Sequence, residues 1–555
     1  MKRLILCVLA VSLLIPAWAQ EGNKKNEHNF EIAKNLDIFN ALYRELDLFY
    51  VDTLEAQKVI RMGIDAMLEE LDPYTVYYPE EDMSELKIMT TGKYGGIGSI
   101  IRMRKDSTVV IAEPYENMPA AELGLQVGDV LLQIDDTDLK GKAVGEVSDM
   151  LRGEPGTTFS LKVQRPGENK PRTFNITRRN IKLPSIQYQG LIADKIGYIL
   201  LTGFTENCAQ DVRKAVISLK EEGAESLVLD LRGNGGGLLQ EAINIVNLFV
   251  PKGLEIVSTR GKMQAANGVY KTKSSPLDLD IPLVVMVNGN TASAAEIVAG
   301  SLQDLDRAVV LGTRTFGKGL VQVPRELPYN GSLKLTSSKY YIPSGRCIQA
   351  IDYKSRREGR IGADGRVPDS LTHVFHTAGG REVRDGGGVK PDVEMKHDTL
   401  ANLLYYLSND DVLLDYGTRY VQTHPKPASV AQFAMTDQDF EDLKQMAIES
   451  GFKYDRLSER RLKDLKATAE FEGYYNEAKE EFDALEKKLQ HNLGLEFNHF
   501  KKDVMILMRQ EVVKRWFFQR GISEEQLKDD DDAIAAINLL REPSRYRSIL
   551  APPQQ

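Results

Sequence analysis

Cysteine and histidine are scarce in this chain of 555 residues, and their scarcity argues against two kinds of site. Of the three cysteines, Cys7 lies in an apolar run near the start of the chain, which leaves Cys208 and Cys347. Two cysteines are too few for a disulfide framework, and whether they pair stays open. The histidines form no His-Glu-x-x-His motif, and His373 and His376 would point to opposite faces of a strand-like segment. We therefore expect no metal site.

Excess positive charge and long apolar runs are also missing beyond the first 19 residues. The formal net charge is -9, and removal of Lys2 and Arg3 with a leader would move it to -11. This balance argues against nucleic acid as a partner. After residue 19 no run approaches the roughly 20 apolar residues that cross a bilayer.

The first 19 residues have the pattern of a secretory signal peptide. Lys2 and Arg3 precede an apolar run over residues 4–15, and Ala17, Trp18 and Ala19 form a small-x-small cleavage site. Because Cys7 lies inside the apolar run, a lipid-modified cysteine at the mature start is not expected. The pattern predicts cleavage before Gln20 and a periplasmic or secreted protein.

Four segments with different patterns follow the leader. Residues 20–90 have helix-spaced apolar positions, residues 91–170 have short β-rich runs between glycine turns, and residues 171–396 alternate strands with helices. Residues 397–555 are charged and helical. The pattern predicts an α/β core with an inserted β-rich domain and helical regions at both ends.

A serine and a lysine stand out in the α/β segment. Ser293 follows the predicted strand "LVVMV" and a tight turn, at the start of a small-residue helix, where capping the helix is the simpler role. Lys318 lies in "GTRTFGKGLVQ" between close glycines, where a solvated lysine is the alternative. One helix, one strand and one turn separate them, which returns the chain to the same end of the sheet. A neutral lysine amine can deprotonate a serine hydroxyl, and burial near Phe316 and Val321 would favour that neutral form.

A glycine-rich turn supplies a third element, "LVLDLRGNGGGL" at residues 227–238. It lacks the Gly-Lys-Ser/Thr of a nucleotide-binding loop, although such turns also bind anions. The other interpretation is an oxyanion hole, built from the backbone N–H of Gly236 or Gly237 together with that of Ala294.

Two features of the C-terminal segment are assigned structural roles. The sequence "KDDDD" at residues 528–532 lacks the glycine and terminal glutamate of a calcium loop, which favours a solvated turn. An apolar stripe on a long charged helix is typical of packing or of a partner surface, and it comprises Phe482, Leu485, Leu489, Leu493, Phe497 and Phe500.

Together these motifs resemble those of the carboxyl-terminal processing proteases, serine peptidases with a Ser-Lys active site. "DLRGNGGG", "TASAAE" and "FGKGLVQ" match the family in order, the last with Gln322 four positions after Lys318. Glu296 and Asp304 also match family positions, and we assign both a structural role. Cys347 stands where a serine is expected. The resemblance covers roughly residues 35–395 and implies no cofactor.

The β-rich domain is similar to a PDZ domain. "MPAAELGLQVGDVLLQID" at residues 118–135 matches the PDZ signature, and "YGGIG" at residues 94–98 resembles its carboxylate-binding loop. Such a domain adds a peptide as an extra strand and binds its terminal carboxylate. The predicted peptide-binding residues are Gly95, Gly96, Ile97, Gly98, Val147 and Leu151. For Val147 and Leu151 ordinary core packing is an equal alternative.

The resemblance implies a serine endopeptidase that recognises non-polar C-terminal tails of envelope proteins and cleaves them through an acyl-enzyme on Ser293. Lys318 would be the base, Gln322 would position it, and Gly236 or Gly237 with Ala294 would form the oxyanion hole. Substrates would be proteins or peptides with a free C-terminus, and an envelope adaptor and a homo-oligomer are further expected partners. The alternative is an inactive PDZ scaffold or holding chaperone. A third possibility is an amidase acting on small molecules, but the PDZ domain would have no function in such an enzyme.

Overall fold

The computed structural model describes residues 2–83, 86, 88, 91–359, 366–397, 401–489 and 492–552, with side chains from residue 26 onward except residue 369. The chain divides into two compact units, residues 1–77 and residues 78–555.

The first unit is mainly helical, as predicted for the region that follows the leader. Its elements are α1 (Lys2–Phe49), α2 (Ala56–Glu69) and the start of the short strand β1 (Val76–Tyr78). In α2, Arg61 binds Asp65 one turn later at 2.9 Å, and Leu68 is buried. The side chains of the predicted signal peptide lie outside the described residues. None of the helices in the described ranges has the length and apolar content needed to cross a membrane.

The β-rich domain begins the second unit. Its strands are β2 (Lys93–Gly96), β3 (Ser99–Met103), β4 (Val109–Pro114), β5 (Val130–Ile134), β6 (Thr137–Asp138), β7 (Thr158–Gln164), β8 (Arg172–Thr177) and β9 (Arg179–Lys182), and its helices are α3 (Pro119–Glu122) and α4 (Val144–Leu151). The main sheet has the order β3-β4-β5-β7-β8, with β6 on β5, while β2 pairs with β9. Inward-facing apolar residues such as Ile111, Leu161 and Ile176 are fully buried. Strand β3 is an edge of this sheet.

The α/β segment supplies the largest core. Its strands are β10 (Ile186–Ala193), β11 (Ile196–Leu201), β12 (Ser226–Asp230), β13 (Glu255–Gly261), β14 (Gly268–Lys271), β15 (Leu283–Val287), β16 (Val309–Gly312), β17 (Leu320–Glu326), β18 (Ser332–Tyr341), β19 (Val374–His376), β20 (Glu382–Arg384) and β21 (Val393–Glu394). Its helices are α5 (Cys208–Glu221), α6 (Leu239–Val246), α7 (Ala294–Asp304) and α8 (Tyr353–Arg357).

One sheet of this segment positions the candidate site. It has the order β10-β11-β12-β15-β16-β21, and the strands from β11 onward are parallel. Strands β12 and β15 are buried along their whole length, as their continuous apolar runs require. A separate antiparallel arrangement joins β17, β18, β13 and β14. Cys208 and Cys347 are both free thiols, which answers the question left open by the sequence.

Helices make up the C-terminal region. They are α9 (Asn402–Asn409), α10 (Asp411–Thr423), α11 (Asp437–Glu449), α12 (Leu457–Glu472), α13 (Lys479–Leu489), α14 (Leu493–His499), α15 (Lys501–Gln526), α16 (Asp531–Leu540) and α17 (Pro543–Leu550). The predicted single helix with an apolar stripe is wrong, because its residues belong to α13 and α14 and to the junction with α15. Phe497 is buried, whereas Leu485 is 43% exposed.

The C-terminal helices contact both other parts of the second unit. Arg104 of the β-rich domain binds Asp415 of α10 at 2.7 Å. Ala533 and Ala536 of α16 and Tyr546 of α17 pack against one face of the parallel sheet, and Tyr546 Oη donates to the carbonyl oxygen of Leu283 at 3.0 Å. The predicted fold class is confirmed, and the C-terminal region forms one compact unit with the α/β core.

Candidate active site

Three loops meet at one edge of the parallel sheet. The glycine turn of residues 233–237 follows β12, the turn before Ser293 follows β15, and the loop that carries Lys318 follows β16. These strands are adjacent and parallel, so all three loops leave the sheet at its carboxyl edge. This is the return to the same end of the sheet that the sequence predicts.

Ser293 has an unusual backbone conformation at the start of α7. Its φ is 57° and its ψ is -117°, a region that non-glycine residues rarely occupy. Such strain persists only where the surroundings impose it, and it concentrates at sites with chemistry. The side chain is half-buried. A strained, partly accessible serine is more than a simple helix cap requires.

Glu296 joins the backbones of Ser293 and Lys318. Its carboxylate is buried, and Oε2 accepts the N–H of Ser293 at 2.9 Å and the N–H of Lys318 at 2.8 Å. Oε1 accepts the hydroxyl of Thr315 at 2.5 Å and the N–H of Gly317 at 2.8 Å. Burial raises the pKa of Glu296 to about 6, while the four donors oppose that shift. Glu296 therefore has the structural role expected of it, and that role lies within the candidate site.

Tyr340 contacts the same two residues from the other side. Its single O–H is shared between the carbonyl oxygens of Ser293 at 3.1 Å and Lys318 at 2.8 Å. The side chain is 1% exposed, and burial raises its pKa well above the usual value, so the phenol remains a donor. Tyr340 could not be identified from the sequence, because a tyrosine in a strand has no local pattern that indicates such a role.

The glycines beside Lys318 permit close packing of its loop. A Cβ on Gly317 would lie 2.3 Å from the Cβ of Ala350, and the Gly317 φ is +86°. Gly319 donates its N–H to Gln349 Oε1 at 2.7 Å. Lys318 itself is half-buried. Of the two apolar neighbours expected to help bury the amine, Phe316 is 39% exposed and Val321 is half-buried.

Gln322 lies on β17, and its side chain contacts the neighbouring strand. Its Nε2 donates to Thr336 Oγ1 of β18 at 3.1 Å. This bond fixes the orientation of the amide and directs its nitrogen at Thr336. The oxygen Oε1 is the end of the amide that can accept a further donor.

The glycine turn packs directly on the start of α7. A Cβ on Gly236 would lie 2.7 Å from both the Ser293 Cβ and the carbonyl oxygen of Ala292, and 2.8 Å from the N of Ala294. Buried Asn234 holds the turn: Nδ2 donates to Leu201 O at 2.7 Å, and the Asn234 carbonyl oxygen accepts the N–H of Ala292 at 2.9 Å. The turn thus brings Gly236 beside Ser293 and Ala294.

The backbone N–H groups of the glycine turn and of Ala294 differ in whether they have a hydrogen-bond acceptor. The Gly236 N–H donates to Asn234 Oδ1 at 2.9 Å. Within the described ranges, the N–H groups of Gly237 and Ala294 have no acceptor in the protein. Ala294 is the first residue of α7, where N–H groups lack partners within the helix.

The predicted solvated turn at residues 528–532 is wrong for two of its aspartates. Asp530 and Asp532 accept from Nη1 of Arg232, which directly precedes the glycine turn, at 3.0 and 3.2 Å. Sequence patterns could not reveal this pair, because about 300 positions separate the partners.

The predicted peptide-binding residues lie at two places in the β-rich domain. Gly95 and Gly96 belong to β2, and the carbonyl oxygens of Ile97 and Gly98 accept the N–H of Ala120 and of Tyr115, both at 2.9 Å. Ile97 belongs to the hydrophobic core of the domain, as do Val147 at 0% and Leu151 at 5% exposure. Helix α4 lies beside the edge strand β3. Val147 and Leu151 thus pack in the core of the domain, which is the alternative to a peptide-binding role.

Comparisons with known proteins agree with this architecture. Residues 195–355 match peptidase family S41, residues 110–165 match a PDZ domain, and residues 403–540 match the family described as "Probable PDZ-protease, C-terminal helical domain". The fold and these matches define a serine peptidase with a PDZ domain.

The sequences of individual relatives show to which group of serine peptidases the chain belongs. Over 347 residues the chain is 37% identical to a carboxy-terminal-processing protease of Bartonella bacilliformis, which covers 62% of this chain and 78% of the relative. It is 32% identical over 353 residues to a "Probable CtpA-like serine protease" of Staphylococcus aureus, covering 62% and 69%. The solved structure of a photosystem II D1 C-terminal processing protease is 27% identical and covers 64% of this chain and 86% of its own, with a TM-score of 0.35. The chain belongs to the carboxyl-terminal processing proteases of peptidase family S41.

Proposed function

We propose that this protein is an endopeptidase of the cell envelope that cleaves proteins with non-polar C-terminal tails through an acyl-enzyme on Ser293. The observation that carries the proposal is the pair of shared partners, Glu296 and Tyr340, which hold the backbones of Ser293 and Lys318 next to each other. Placement in the envelope is supported by the signal-peptide pattern of residues 1–19.

In the proposed reaction, the neutral amine of Lys318 removes the proton from Ser293 Oγ as the oxygen attacks the scissile carbonyl carbon. The lysine then donates that proton to the leaving amine. Water then attacks the acyl-enzyme. Lys318 accepts the proton of the water and returns it to Ser293 Oγ as the ester bond breaks. Gln322 positions the lysine, and Oε1 is its available acceptor because Nε2 bonds to Thr336.

The developing oxyanion is bound by backbone N–H groups. Ala294 supplies one, and Gly237 or Gly236 supplies the other. Gly237 is the better donor of the two, since the Gly236 N–H already bonds to Asn234. Removal of such a donor typically lowers kcat by about 100- to 1,000-fold.

Substrate capture is assigned to the PDZ domain. Edge strand β3 can accept a substrate tail as an added strand, and the loop of residues 94–98 would bind its carboxylate. Val147 and Leu151 of α4 would form the wall of the pocket for the last side chain.

The test uses purified protein and an unfolded substrate with a non-polar C-terminus. Ser293→Ala and Lys318→Ala should abolish cleavage while binding of a labelled tail peptide persists. Lys271→Ala, an exposed lysine on β14, is the matched control and should cleave normally. Near-normal turnover by Lys318→Ala would remove the lysine from the mechanism. Tail binding by the wild type without any cleavage would favour the scaffold instead.

A further inference from the structure

The acidic start of α16 reaches the carboxyl edge of the protease sheet. Asp530 caps this helix, accepting the N–H groups of Asp532 and Ala533 at 3.0 and 3.1 Å. Asp530 and Asp532 also contact Arg232, the residue that joins β12 to the glycine turn. A helix of the C-terminal region is therefore in direct contact with the start of an active-site loop.

The guanidinium of Arg232 is fully engaged by three carboxylates. Nε donates to Asp230 at 3.0 Å, Nη1 to Asp530 at 3.0 Å and to Asp532 at 3.2 Å. Nη2 donates to Asp230 at 2.6 Å and to Asp530 at 2.5 Å. These bonds use all five N–H groups that an arginine side chain has. Arg232 has no donor left for substrate, so it can act on the reaction only through its neighbours.

The ion cluster is shielded from water. The side chain of Arg232 is 20% exposed, while those of Asp230 and Asp532 are 2% and 4% exposed. Tyr198 Oη donates to Asp230 Oδ2 at 2.6 Å, and His397 Nε2 lies 3.0 Å from Asp532 Oδ1. Charge-assisted bonds in such surroundings are short and directional, so they fix the geometry of the arginine.

Hydrogen bonds lead from this cluster to the oxyanion loop. The Arg232 N–H donates to Asp230 Oδ1 at 2.9 Å, and the next N–H, of Gly233, donates to Asn288 Oδ1 at 3.0 Å. The next residue, Asn234, binds Ala292 and Gly236, and Gly236 packs on Ser293. The orientation of Arg232 thus sets the first turn of the loop whose end faces the nucleophile.

We propose that Arg232 is a positioning residue for peptide-bond cleavage and that α16 completes the active site by holding it through Asp530 and Asp532. The inference rests on the proposed oxyanion role of Gly237 and Ala294. Loss of the two aspartates leaves substrate capture intact and displaces an oxyanion donor. The turnover number then falls without a matching change in KM.

The test compares full-length variants with matched charge. Asp530→Asn/Asp532→Asn removes both charges, and asparagine caps helices about as well as aspartate. Asp531→Asn makes the same chemical change in the same helical turn at an exposed side chain without an ion pair in the described part of the chain. We measure kcat and KM with a fluorogenic peptide, Ki for a peptide boronate that mimics the tetrahedral intermediate, and the melting temperature.

The double variant should show kcat lowered about tenfold and the boronate Ki raised about tenfold, since small misplacements of catalytic donors cost one to two orders of magnitude. KM should stay within about twofold of the wild type, and Asp531→Asn should match the wild type throughout. Arg232→Lys keeps the positive charge but lacks the planar guanidinium with its five N–H donors, so it should behave like the double variant. Where the double variant melts below the assay temperature, the single variants Asp530→Asn and Asp532→Asn carry the comparison.

Three results would overturn the inference: wild-type kcat in the folded variants, an equal loss in Asp531→Asn, or a rise in KM at constant kcat. Ser293→Ala in the same assay separates this inference from the proposed function. If Ser293→Ala is inactive and the aspartate variants are fully active, only the role of Arg232 is rejected. If Ser293→Ala cleaves normally, the proposed function itself is rejected.

Discussion

Ser293 and Lys318 donate their backbone N–H groups to the same oxygen, Oε2 of Glu296, at 2.9 and 2.8 Å. One buried carboxylate therefore sets how the serine turn and the lysine loop lie relative to each other. Tyr340 repeats the connection through the carbonyl groups of the same two residues. The proposed dyad thus depends on two side chains that need not touch substrate.

Glu296→Gln should lower kcat at least tenfold at pH 8. The carboxylate accepts four donors, whereas an amide offers one acceptor oxygen and a nitrogen that repels the N–H groups it faces. The same reasoning gives a pH dependence. Because the pKa of Glu296 is raised to about 6, protonation as the pH falls through that value removes an acceptor and should reduce activity.

Profiles of kcat between pH 5 and 9 check this prediction. In Glu296→Gln the part of the low-pH loss that Glu296 causes near pH 6 should be absent from the residual activity, because the titrating group is gone. A neutral lysine base also loses activity at low pH, and that loss should remain in the variant. Activity of Glu296→Gln within twofold of the wild type would contradict the role assigned to the carboxylate.

Tyr340→Phe should lower kcat about fivefold to tenfold and destabilise the protein by about 1–2 kcal/mol, the usual cost of leaving buried acceptors without a donor. The ring still fills its buried site, so packing is retained. Tyr341→Phe, at the adjacent position, is the control, since Tyr340 alone of the two donates to Ser293 and Lys318. Steady-state kinetics and thermal melting distinguish the two variants, and equal kinetics would show that the bridging hydroxyl is dispensable.

Gly236→Ala should abolish activity, whereas Gly235→Ala should have little effect. At Gly236 the φ of +96° disfavours any side chain, and the new Cβ would lie 2.7 Å from the Ser293 Cβ. At Gly235 a Cβ meets nothing within 4 Å. Cleavage of the unfolded substrate is the measurement, and circular dichroism confirms that both variants fold. An active Gly236→Ala would mean that the turn does not need to approach the serine closely.

The arrangement of the three loops could be predicted from the sequence, because it follows from local patterns. Buried apolar runs, glycine turns and helix starts identify β12, β15 and β16, and parallel strands bring their carboxyl ends together. What could not be predicted depends on contacts between distant segments. Tyr340 reaches the site from a separate antiparallel strand, and Asp530 lies 298 positions from its partner Arg232. A run of aspartates looks solvated until the position of its partner is known.

The apolar stripe of the C-terminal region failed for a different reason. Spacing by three and four residues is compatible with one long helix, but it also fits two helices separated by a short break. Residues Phe482 and Leu485 belong to α13, and Leu493 and Phe497 to α14. Periodicity describes the faces of helices and gives little information on where a helix ends.

Glu113→Gln should stabilise the protein at alkaline pH. Glu113 lies on β4 of the PDZ domain and is 8% exposed, and its Oε1 has no hydrogen-bond partner among the described residues. Burial raises its pKa from 4.5 to about 7; Lys514 of α15 opposes the shift and Glu511 adds to it. The neutral acid is therefore favoured in the folded state. Its contribution to stability is fully present below the unfolded pKa near 4.5 and is lost as the pH rises through about 7.

At pH 8 the buried carboxylate costs up to about 3 kcal/mol, which the neutral amide avoids. Glu113→Gln should therefore raise the urea midpoint and melting temperature at pH 8 and change them little at pH 4.5. Glu116→Gln, three residues further and exposed, makes the same substitution and should change neither. An equal gain for Glu113→Gln at both pH values would show that the effect comes from packing, because only a charge effect disappears when the wild-type acid is protonated.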